Sequence, residues 1–374
     1  TRSKRSSCDI IMRKKLTAFF EKRHLKKKKL SKENESVGAL TRTFLTSIMI
    51  IGTFFVMPVI IDFTKDKSRL SKDFENNSKN SLKKLLEKKE NESNTIINRN
   101  LLFEDILMFD QEPTDSVRLS AATIEELFKS TNYTLDDVRK NKLVKPISLT
   151  LLPNEIKKIE NTKKRKDLFI QIILPLVIKE NNNIRLDRKK FFNILNKSKN
   201  TRGENAWLNS KFKQYGVANK DLLTLKVRMD EVPVSMAIAQ AAKETGWGTS
   251  RFAQEGNALF GQWTWSGEGI KPADADNNTT HKVMKFKVLQ ASVRAYQRNL
   301  NTHSSYKSFR GARAELRDEG KKLDSMILSE HLDKYAETGK KYVRVLQQII
   351  KQNNLSDFDD AKLLPSSIDL ESLI

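Results

Sequence analysis

The sequence predicts an α+β protein that is mainly helical and contains one small β insertion. It also predicts one transmembrane helix that precedes this α+β part. Three observations lead to this prediction. Apolar residues recur at helical spacing in several segments, most clearly from Pro233 onward. Residues 281–288 alternate apolar and polar side chains, which is the period of a strand. Residues 43–61 contain no charged side chain, which is typical of a membrane span.

The composition limits the classes of partner. The chain has 374 residues, enough for one or two domains. Its 69 Lys and Arg residues against 46 Asp and Glu residues give a net charge of +23, which favours an anionic partner such as a membrane surface, a nucleic acid or an acidic polymer. The single cysteine, Cys8, excludes an intrachain disulfide. The four histidines show no zinc-ligand spacing, so we expect neither a metal nor another cofactor.

The first hundred residues predict a tail, a membrane anchor and a tether. Residues 1–42 are rich in Lys and Arg, which fits a nucleic-acid arm or a solvated cytoplasmic tail. The uncharged residues 43–61 suffice to cross a hydrocarbon core of about 30 Å, and the basic residues before them predict that this end stays in the cytoplasm. A cleaved signal peptide is the competing interpretation, but no small-x-small cleavage site follows Ile61, so we favour an uncleaved anchor. Residues 62–100, rich in Lys, Asn, Ser and Glu, predict a flexible tether.

Residues 101–200 predict a helical accessory region in which we find no chemistry. Residues 166–180 are strongly apolar, but they are too short and too closely flanked by charge for a second membrane span. They predict a buried helix with a kink at Pro175. The asparagine run at residues 181–183 predicts a turn, and residues 185–195 predict another amphipathic helix.

A helix that begins at Pro233 and ends at Gly246 is the centre of the predicted fold. Proline is favoured in the first helical turn, and glycine readily adopts the positive φ that ends a helix. The apolar face of this helix is formed by Val234, Ala237, Ile238 and Ala241. Glu244 lies three residues beyond Ala241, so its carboxylate continues the apolar face.

The position of Glu244 indicates acid chemistry. The last turn of a helix is its negative end, where a carboxylate is unfavourable. Aromatic residues that can partly desolvate the group follow at Trp247, Phe252, Phe260, Trp263 and Trp265. Both effects raise a carboxyl pKa, and a carboxylic acid that stays protonated near neutral pH is what general acid catalysis needs. The alternative interpretation is a solvated glutamate at a frayed helix end.

The residues after the central helix predict a small β element and further helices. Residues 281–288 predict a short hairpin or sheet. Residues 274–278 have the opening spacing of a calcium loop, but Thr279 and Lys285 stand where such a loop needs its glycine and its terminal glutamate, so we reject calcium. Two further helical faces are formed by Leu289, Val293, Tyr296 and Leu300 and by Tyr342, Leu346, Ile349 and Ile350.

The sequence around Glu244 resembles the bacterial peptidoglycan glucosaminidases of glycoside hydrolase family 73. Residues 239–263 read AQAAKETGWGTSRFAQEGNALFGQW, where the family reads approximately AQAALESGWGTS…GNNLFGI. Further segments that are similar to the Bax-type branch are the Thr-Trp pair at 264–265, His281 before a short strand, SVRAYQRNLNTHSSY at 292–306, YAETGKKYVRVLQQIIKQNNL at 335–355 and FIQIILPLVIKENNNIRLDR at 169–188. Lys243, Thr245 and Gln262 depart from the commoner family residues. The resemblance covers about residues 101–363.

The resemblance implies a lysozyme-like fold in residues 201–363, in which a helical lobe and a small β lobe flank a glycan cleft, and a tail at residues 364–374. It implies hydrolysis of the β-1,4 bond after N-acetylglucosamine in peptidoglycan, in the periplasm or cell envelope outside the cytoplasmic (inner) membrane. Glu244 matches the family's catalytic acid, and Tyr335 matches a tyrosine that the family uses in the cleft. Glu268, in the β-lobe region, is a candidate second carboxylate that no motif fixes.

The resemblance and the aromatic pattern give further site candidates. Residues expected to line or support the cleft are Trp247, Asn257, Phe260, Trp263 and Tyr306. For Trp247, Trp263 and Trp265 the plain alternative is packing in the core, and Tyr306 and Tyr335 have the same alternative with their hydroxyl groups satisfied there. The separation of the two carboxyl groups distinguishes retaining from inverting glycosidases, and assistance by the acetamido group of the substrate is a third route.

Other functions stay open at this point. A lytic transglycosylase of the same fold class would release anhydromuramyl products. A non-catalytic module that binds or scaffolds the cell wall is favoured by the lack of a firm second carboxylate. A nucleic-acid-binding protein is the weakest candidate, because no recognisable nucleic-acid-binding motif accompanies the high positive charge. We therefore expect glycan strands and the inner membrane as partners, and no nucleic acid.

Overall fold

The computed structural model describes Ile106 and residues 117–264, 269–272 and 282–365 of the chain. The predicted basic tail, membrane anchor and tether lie outside the described residues, and so does most of the predicted tail at residues 364–374. Within the described ranges, none of the helices combines the length and the hydrophobicity that a membrane span needs.

Helices dominate the described part of the chain. They are α1 (Ala121–Ser130), α2 (Leu135–Asn141), α3 (Thr162–Leu195), α4 (Arg202–Gln214), α5 (Leu222–Arg228), α6 (Val234–Thr245), α7 (Arg251–Gly256), α8 (Leu289–Thr302), α9 (Lys307–Asp318), α10 (Ser325–Ser329) and α11 (Lys340–Gln352). Short 3₁₀ turns lie at Asn154–Lys158, Ser304–Tyr306, Glu330–Leu332 and Leu355–Phe358.

The strands are short and form two small sheets. They are β1 (Leu143–Val144), β2 (Trp263–Thr264), β3 (Gly269–Ile270), β4 (Lys282–Met284) and β5 (Lys362–Leu363). Strands β2 and β3 pair antiparallel with β4, in the order β2-β4-β3, and both Trp263 and Ile270 lie opposite Val283. Strand β1 pairs in parallel with β5. This mainly helical architecture with a small sheet is the predicted α+β arrangement, and it fits a lysozyme-like fold.

The strand predicted at residues 281–288 is shorter than the sequence pattern suggests. Strand β4 covers only Lys282–Met284. The N–H group of Phe286 donates to the carbonyl of Gly256 at 2.8 Å, outside the sheet, and α8 begins at Leu289. The pairing of β4 on both sides nevertheless confirms a small sheet after the central helix.

Helix α6 lies in the main hydrophobic core. It packs against α3, α11 and the 3₁₀ turn at Leu355–Phe358, and every residue from Val234 to Ala242 is buried. The predicted ends of this helix are confirmed, because it starts after Pro233 and ends at Gly246, which has a φ of 57°. The predicted single apolar face is too narrow, since the helix is buried on all sides along most of its length.

A helix that is buried on all sides needs a partner for each polar group. Pro233 offers no side-chain cap to the first turn of α6. Asp359, which follows the 3₁₀ turn at Leu355–Phe358, supplies the cap. Its carboxylate accepts from the N–H group of Ser235 at 2.8 Å and from the hydroxyl of Ser235 at 2.7 Å. The start of α6 is therefore held by a residue more than a hundred positions away.

Helix α3 continues where the sequence predicts a break. It runs from Thr162 to Leu195 as one helix, so the prediction of a turn at residues 181–183 is wrong. Pro175 is buried inside this helix. The first half of α3 packs in the main core, together with α1 and α6, so residues on both sides of position 200 share that core. The second half packs against α4 and α5 in a second apolar cluster.

Hydrogen bonds to other segments explain why the asparagine run stays helical. Asn181 Nδ2 donates to the carbonyl of Val232 at 2.8 Å, and Asn181 Oδ1 accepts from the N–H group of Val232 at 3.2 Å and from Gln297 Nε2 at 3.0 Å. Asparagine favours turns when its side chain bonds to its own backbone. Here the side chain is used by other segments, and it ties the middle of α3 to the residues before α6.

A buried carboxylate fixes the segment that leads into α6. Asp230 is 3% exposed and lies beside Arg188, Arg313 and Arg317. Burial alone would raise the pKa of Asp230, but the three guanidinium groups outweigh burial and hold this pKa below its usual value. Arg313, which is fully buried, also donates to the carbonyls of Asp230 and Glu231.

Replacing Asn181 with alanine is expected to lower the free energy of unfolding by about 1–3 kcal/mol, because the buried N–H and carbonyl groups of Val232 lose their partner. The matched control is Asn183→Ala, which removes an exposed side chain two residues away and is expected to cost less than about 0.5 kcal/mol. Urea unfolding of the full chain, followed by tryptophan fluorescence, measures both variants. Equal stability of the two variants would contradict the role given to Asn181.

Candidate active site

Glu244 lies in the last turn of α6. Its side chain is half-buried, and burial raises the pKa of its carboxyl group above the usual value. A hydrogen bond from Tyr342 and the positive charge of Lys243 act in the opposite direction, and burial outweighs them. The group is therefore an acid whose proton is held more firmly than that of an exposed glutamate.

A chain of hydrogen bonds leads from the core to Glu244. The hydroxyl of Tyr342 donates to Glu244 Oε1 at 2.8 Å. Gln240 Nε2 donates to the hydroxyl oxygen of Tyr342 at 3.2 Å, and the hydroxyl of Tyr296 donates to Gln240 Oε1 at 2.6 Å. Tyr296 and Gln240 are fully buried, so water does not compete for these positions.

The second oxygen of Glu244 faces a glycine. Gly261 has a φ of 60°, and a Cβ atom placed on it would lie 3.2 Å from Glu244 Oε2. A residue with a side chain would be strained by this φ, and its Cβ would crowd the carboxylate. The loop after α7 can therefore approach Glu244 closely because position 261 is a glycine.

Two of the predicted tyrosines lie together beside Tyr342. The ring of Tyr335 stacks on that of Tyr342, with centroids 5.5 Å apart, and the ring of Tyr306 lies 5.9 Å from Tyr335. The hydroxyl of Tyr335 donates to the carbonyl of Phe260 at 2.8 Å. Burial raises the pKa of Tyr306 to about 12 and raises the pKa of Tyr335 well above its usual value. The charge of Glu244 adds to both shifts, so these phenols are neutral at physiological pH.

Phe260 and Asn257 support the site from the core. Phe260 is 1% exposed, and its ring stacks on Tyr296 at a centroid distance of 3.9 Å. Asn257 ends α7 with a φ of 49°, and its Nδ2 donates to the carbonyls of Phe286 and Lys287. It thus joins the end of α7 to the chain after β4. Phe260 is therefore a core residue that supports the site.

The two tryptophans differ in their surroundings. Trp247 packs edge-on against Phe169 of α3, with ring centroids 5.9 Å apart, and Lys166 Nζ lies 4.9 Å from the centroid of the indole. Trp263, on β2, is 45% exposed. Trp247 is thus held against α3, whereas a large part of the surface of Trp263 is accessible to solvent.

Sequence reasoning missed three residues around Glu244. The helical spacing places Tyr342 on an apolar face, although Tyr342 is also the second tyrosine of the segment YAETGKKYV. Gln240 lies four residues before Glu244, so it occupies the same face one turn earlier. Gly261 carries no pattern that distinguishes a glycine beside a carboxylate from a glycine in an ordinary turn.

Some candidates lie outside the described residues, namely Glu268, Trp265, His281, Asp274 and Asp276. Among the described residues, no group of three or more His, Cys, Asp or Glu side chains is arranged to hold a metal ion. A cavity of about 340 Å³ lies among α3, α4 and α8, and Glu244 is not among the residues that line it.

Comparisons with known proteins agree with the resemblance found in the sequence. Residues 223–355 match the model of the glucosaminidase family, described as mannosyl-glycoprotein endo-beta-N-acetylglucosaminidase. Protein bax of Escherichia coli (strain K12) is 31% identical over 208 residues, which cover 53% of this chain and 73% of that protein. No solved structure matches the chain.

The matched range contains α6 and the tyrosines that surround Glu244. The described residues of the candidate site therefore lie within the part of the chain that matches the family model. The length of bax that is covered extends the similarity beyond one motif. The chain therefore belongs to the glucosaminidase family, in the branch of bax, and is a glycoside hydrolase that acts on peptidoglycan.

Proposed function

We propose that this chain is a membrane-anchored endo-β-N-acetylglucosaminidase, which cleaves the β-1,4 bond after N-acetylglucosamine in peptidoglycan with Glu244 as the general acid. The observation that carries the proposal is the half-buried carboxyl of Glu244, whose pKa is raised by burial while one of its oxygens accepts a hydrogen bond from Tyr342. Family membership supplies the substrate class, and this carboxyl group supplies the chemistry.

The proposed step is protonation of the leaving glycosidic oxygen. Cleavage of a glycosidic bond passes through an oxocarbenium-like transition state, and a general acid lowers the barrier by neutralising the developing charge on the leaving oxygen. The acid needs a pKa close to the working pH, so that it is protonated before the step and can give up its proton during it. The raised pKa of Glu244 moves the group toward that condition.

The tyrosines near Glu244 are proposed to bind the sugar chain as neutral groups. Tyr306 and Tyr335 keep their protons at physiological pH, as phenols ordinarily do, and burial and the charge of ionised Glu244 raise the pKa of each further. A neutral Tyr306 can donate its hydrogen to a sugar oxygen without competing with Glu244 for the role of acid, whereas Tyr335 donates its hydrogen to the carbonyl of Phe260 and is left as an acceptor. Glu268 remains our candidate for the second carboxylate, and the acetamido group of the substrate is the alternative.

Trp263 is proposed to provide an aromatic face for a sugar ring. Its side chain is 45% exposed on the small sheet, and exposed aromatic faces pack well against the apolar face of a pyranose. Trp247 and Asn257 are proposed not to contact the sugar themselves. They hold the loop between α6 and β2 in place through their contacts with Phe169 and with the carbonyl of Phe286.

The proposed location is the outer face of the inner membrane, with the hydrolase in the periplasm or cell envelope. The support is the uncharged stretch at residues 43–61 and the basic residues 1–42 before it. An anchor followed by the predicted tether at residues 62–100 would let the enzyme reach the wall without leaving the membrane.

Glu244→Gln is expected to lower kcat by about 10²–10⁴-fold, because glutamine cannot protonate the leaving oxygen. The measurement is the release of reducing ends at N-acetylglucosamine from purified sacculi by the full chain in detergent. Glu255→Gln, which neutralises an exposed glutamate on α7, is the control and should behave as the wild type.

The products of the same reaction separate the competing functions. Mass spectrometry should find reducing N-acetylglucosamine ends, whereas anhydromuramyl ends would indicate a lytic transglycosylase. Unchanged activity of the Glu244→Gln variant would remove Glu244 from the mechanism.

Trp263→Ala is expected to raise KM for soluble glycan strands several-fold with little change in kcat, because an aromatic stacking contact contributes about 0.5–1.5 kcal/mol. Trp263→Phe keeps a ring and should recover most of the affinity. Trp207→Ala is the control, since Trp207 packs in the second apolar cluster with α3 and α4. If Trp263→Ala and Trp207→Ala have the same KM, Trp263 does not bind the sugar.

The single cysteine of the chain tests the proposed topology. Cys8 lies in the predicted cytoplasmic tail, so a membrane-impermeant maleimide should label it only after spheroplasts are permeabilised. In a Cys8→Ser, Ser198→Cys variant, the new thiol replaces an exposed serine after α3 and should be labelled in intact spheroplasts. Labelling of Cys8 in intact spheroplasts would contradict the proposed orientation.

A further inference from the structure

We propose that Gln240 and Tyr342 are positioning residues that give the two oxygens of Glu244 different tasks. Oε1 is held as a permanent hydrogen-bond acceptor, and Oε2 carries the proton that is transferred. The proposal rests on the proposed role of Glu244 as the general acid, and it adds which oxygen delivers the proton and which residues decide this.

The direction of the hydrogen-bond chain follows from its buried end. The hydroxyl of Tyr296 donates to Gln240 Oε1 at 2.6 Å, which turns the NH₂ group of Gln240 toward Tyr342. That NH₂ group donates to the hydroxyl oxygen of Tyr342 at 3.2 Å. A phenol has one hydrogen, and since the oxygen of Tyr342 already accepts from Gln240, its hydrogen points to Glu244 Oε1, 2.8 Å away.

The reversed direction would defeat the proposed chemistry. Glu244 would then donate its own proton to Tyr342, and that proton would no longer be available to the leaving group. The hydroxyl of Tyr296 would also lose the acceptor that Gln240 Oε1 gives it, at a site that is fully buried and where an unpaired polar group is costly. With the observed direction, Oε1 accepts a hydrogen bond in both protonation states of Glu244.

Oε2 is the oxygen beside Gly261. A Cβ atom at position 261 would lie 3.2 Å from Oε2, so the lack of a side chain leaves room on this side of the carboxyl group. A proton on Oε2 therefore points away from the buried chain and toward the loop that follows α7. In the proposed step, the glycosidic oxygen reaches the acid from this side.

Tyr296 connects the surroundings of both oxygens. Its hydroxyl starts the chain that ends at Oε1. Its ring stacks on Phe260 at 3.9 Å and 9° between planes, and Phe260 precedes Gly261. The carbonyl of Phe260 is in turn fixed by the hydroxyl of Tyr335. One buried tyrosine thus sets the position of the acceptor chain and of the loop that faces the proton.

The first test compares Tyr342→Phe and Gln240→Met with the wild type in kcat, KM and the pH profile of kcat on soluble glycan strands. Tyr342→Phe removes a hydrogen bond that favours the carboxylate, so the basic limb of the kcat profile should move to higher pH. We expect kcat to fall about 10–100-fold in Tyr342→Phe, with KM within about twofold. Gln240→Met leaves the hydroxyl of Tyr342 free to turn, and it should lower kcat by a smaller factor.

Tyr133→Phe is the matched control for these variants. Tyr133 is also a buried tyrosine, 1% exposed, and its hydroxyl donates to the carbonyl of Gln171 at 3.1 Å, far from Glu244 in the sequence. Its removal should lower the unfolding temperature by a similar amount and leave the pH profile of kcat unchanged. If Tyr342→Phe only destabilises the protein, it should lower the unfolding temperature and leave the pH profile of kcat unchanged, as Tyr133→Phe does. If Tyr342 positions Glu244, the pH profile of kcat should shift.

The second test uses two glycines with the same backbone strain. Gly261 and Gly320 have φ values of 60° and 68°, and a Cβ atom at Gly320 would have no neighbour within 4 Å. Gly261→Ala and Gly320→Ala should both lower the unfolding temperature. Only Gly261→Ala should lower kcat, by at least about tenfold, because its Cβ crowds Oε2.

The outcomes separate this inference from the proposed function. If Glu244→Gln is inactive while Tyr342→Phe and Gln240→Met keep the wild-type kcat and pH profile, the positioning role is wrong and the acid assignment stands. If Gly261→Ala keeps the wild-type kcat, Oε2 is not the oxygen that delivers the proton. If Glu244→Gln is active, both proposals fall.

Discussion

The hydrogen bond from Tyr342 to Glu244 is the interaction on which the rest of the site depends. Burial favours the protonated form of Glu244, and the donated hydrogen bond favours its ionised form. Without the donor, burial would make the carboxyl hold its proton more firmly, and with full exposure the carboxyl would hold its proton less firmly. A group that must lose and regain a proton needs both influences, and the end of α6 supplies them together.

The same logic explains why α6 carries polar residues although it is buried. Two of them have partners from distant parts of the chain: Ser235 bonds to Asp359, and Gln240 bonds to Tyr296 and Tyr342. The hydrophobic effect is non-directional, whereas hydrogen bonds on several sides of a helix are directional and specify one arrangement. The polar contacts of α6 therefore fix the direction in which Glu244 points.

The sequence was sufficient to predict features that depend on neighbouring residues. It was insufficient where contacts with distant segments determine the structure. The ends of α6 follow from Pro233 and Gly246, and the apolar period of α8 identifies four of its buried residues, although its polar side is buried as well. The turn predicted at residues 181–183 failed because Asn181 bonds to Val232, 51 positions away. Glu244 was found as a candidate from its place on the helix. Its partner Tyr342 was missed, because a tyrosine in an apolar pattern is indistinguishable from core until its hydroxyl is located.

The choice of phenols around Glu244 has a chemical consequence. Tyr306, Tyr335 and Tyr342 are neutral at physiological pH, as phenols ordinarily are, and burial and the charge of ionised Glu244 raise the pKa of each further. A second carboxylate in the same position would raise the pKa of Glu244 further and would couple the two titrations. Neutral donors avoid that coupling, but they offer no negative charge to an oxocarbenium ion. That charge has to come from a carboxylate on another segment, such as Glu268, unless the acetamido group of the substrate attacks the anomeric carbon itself.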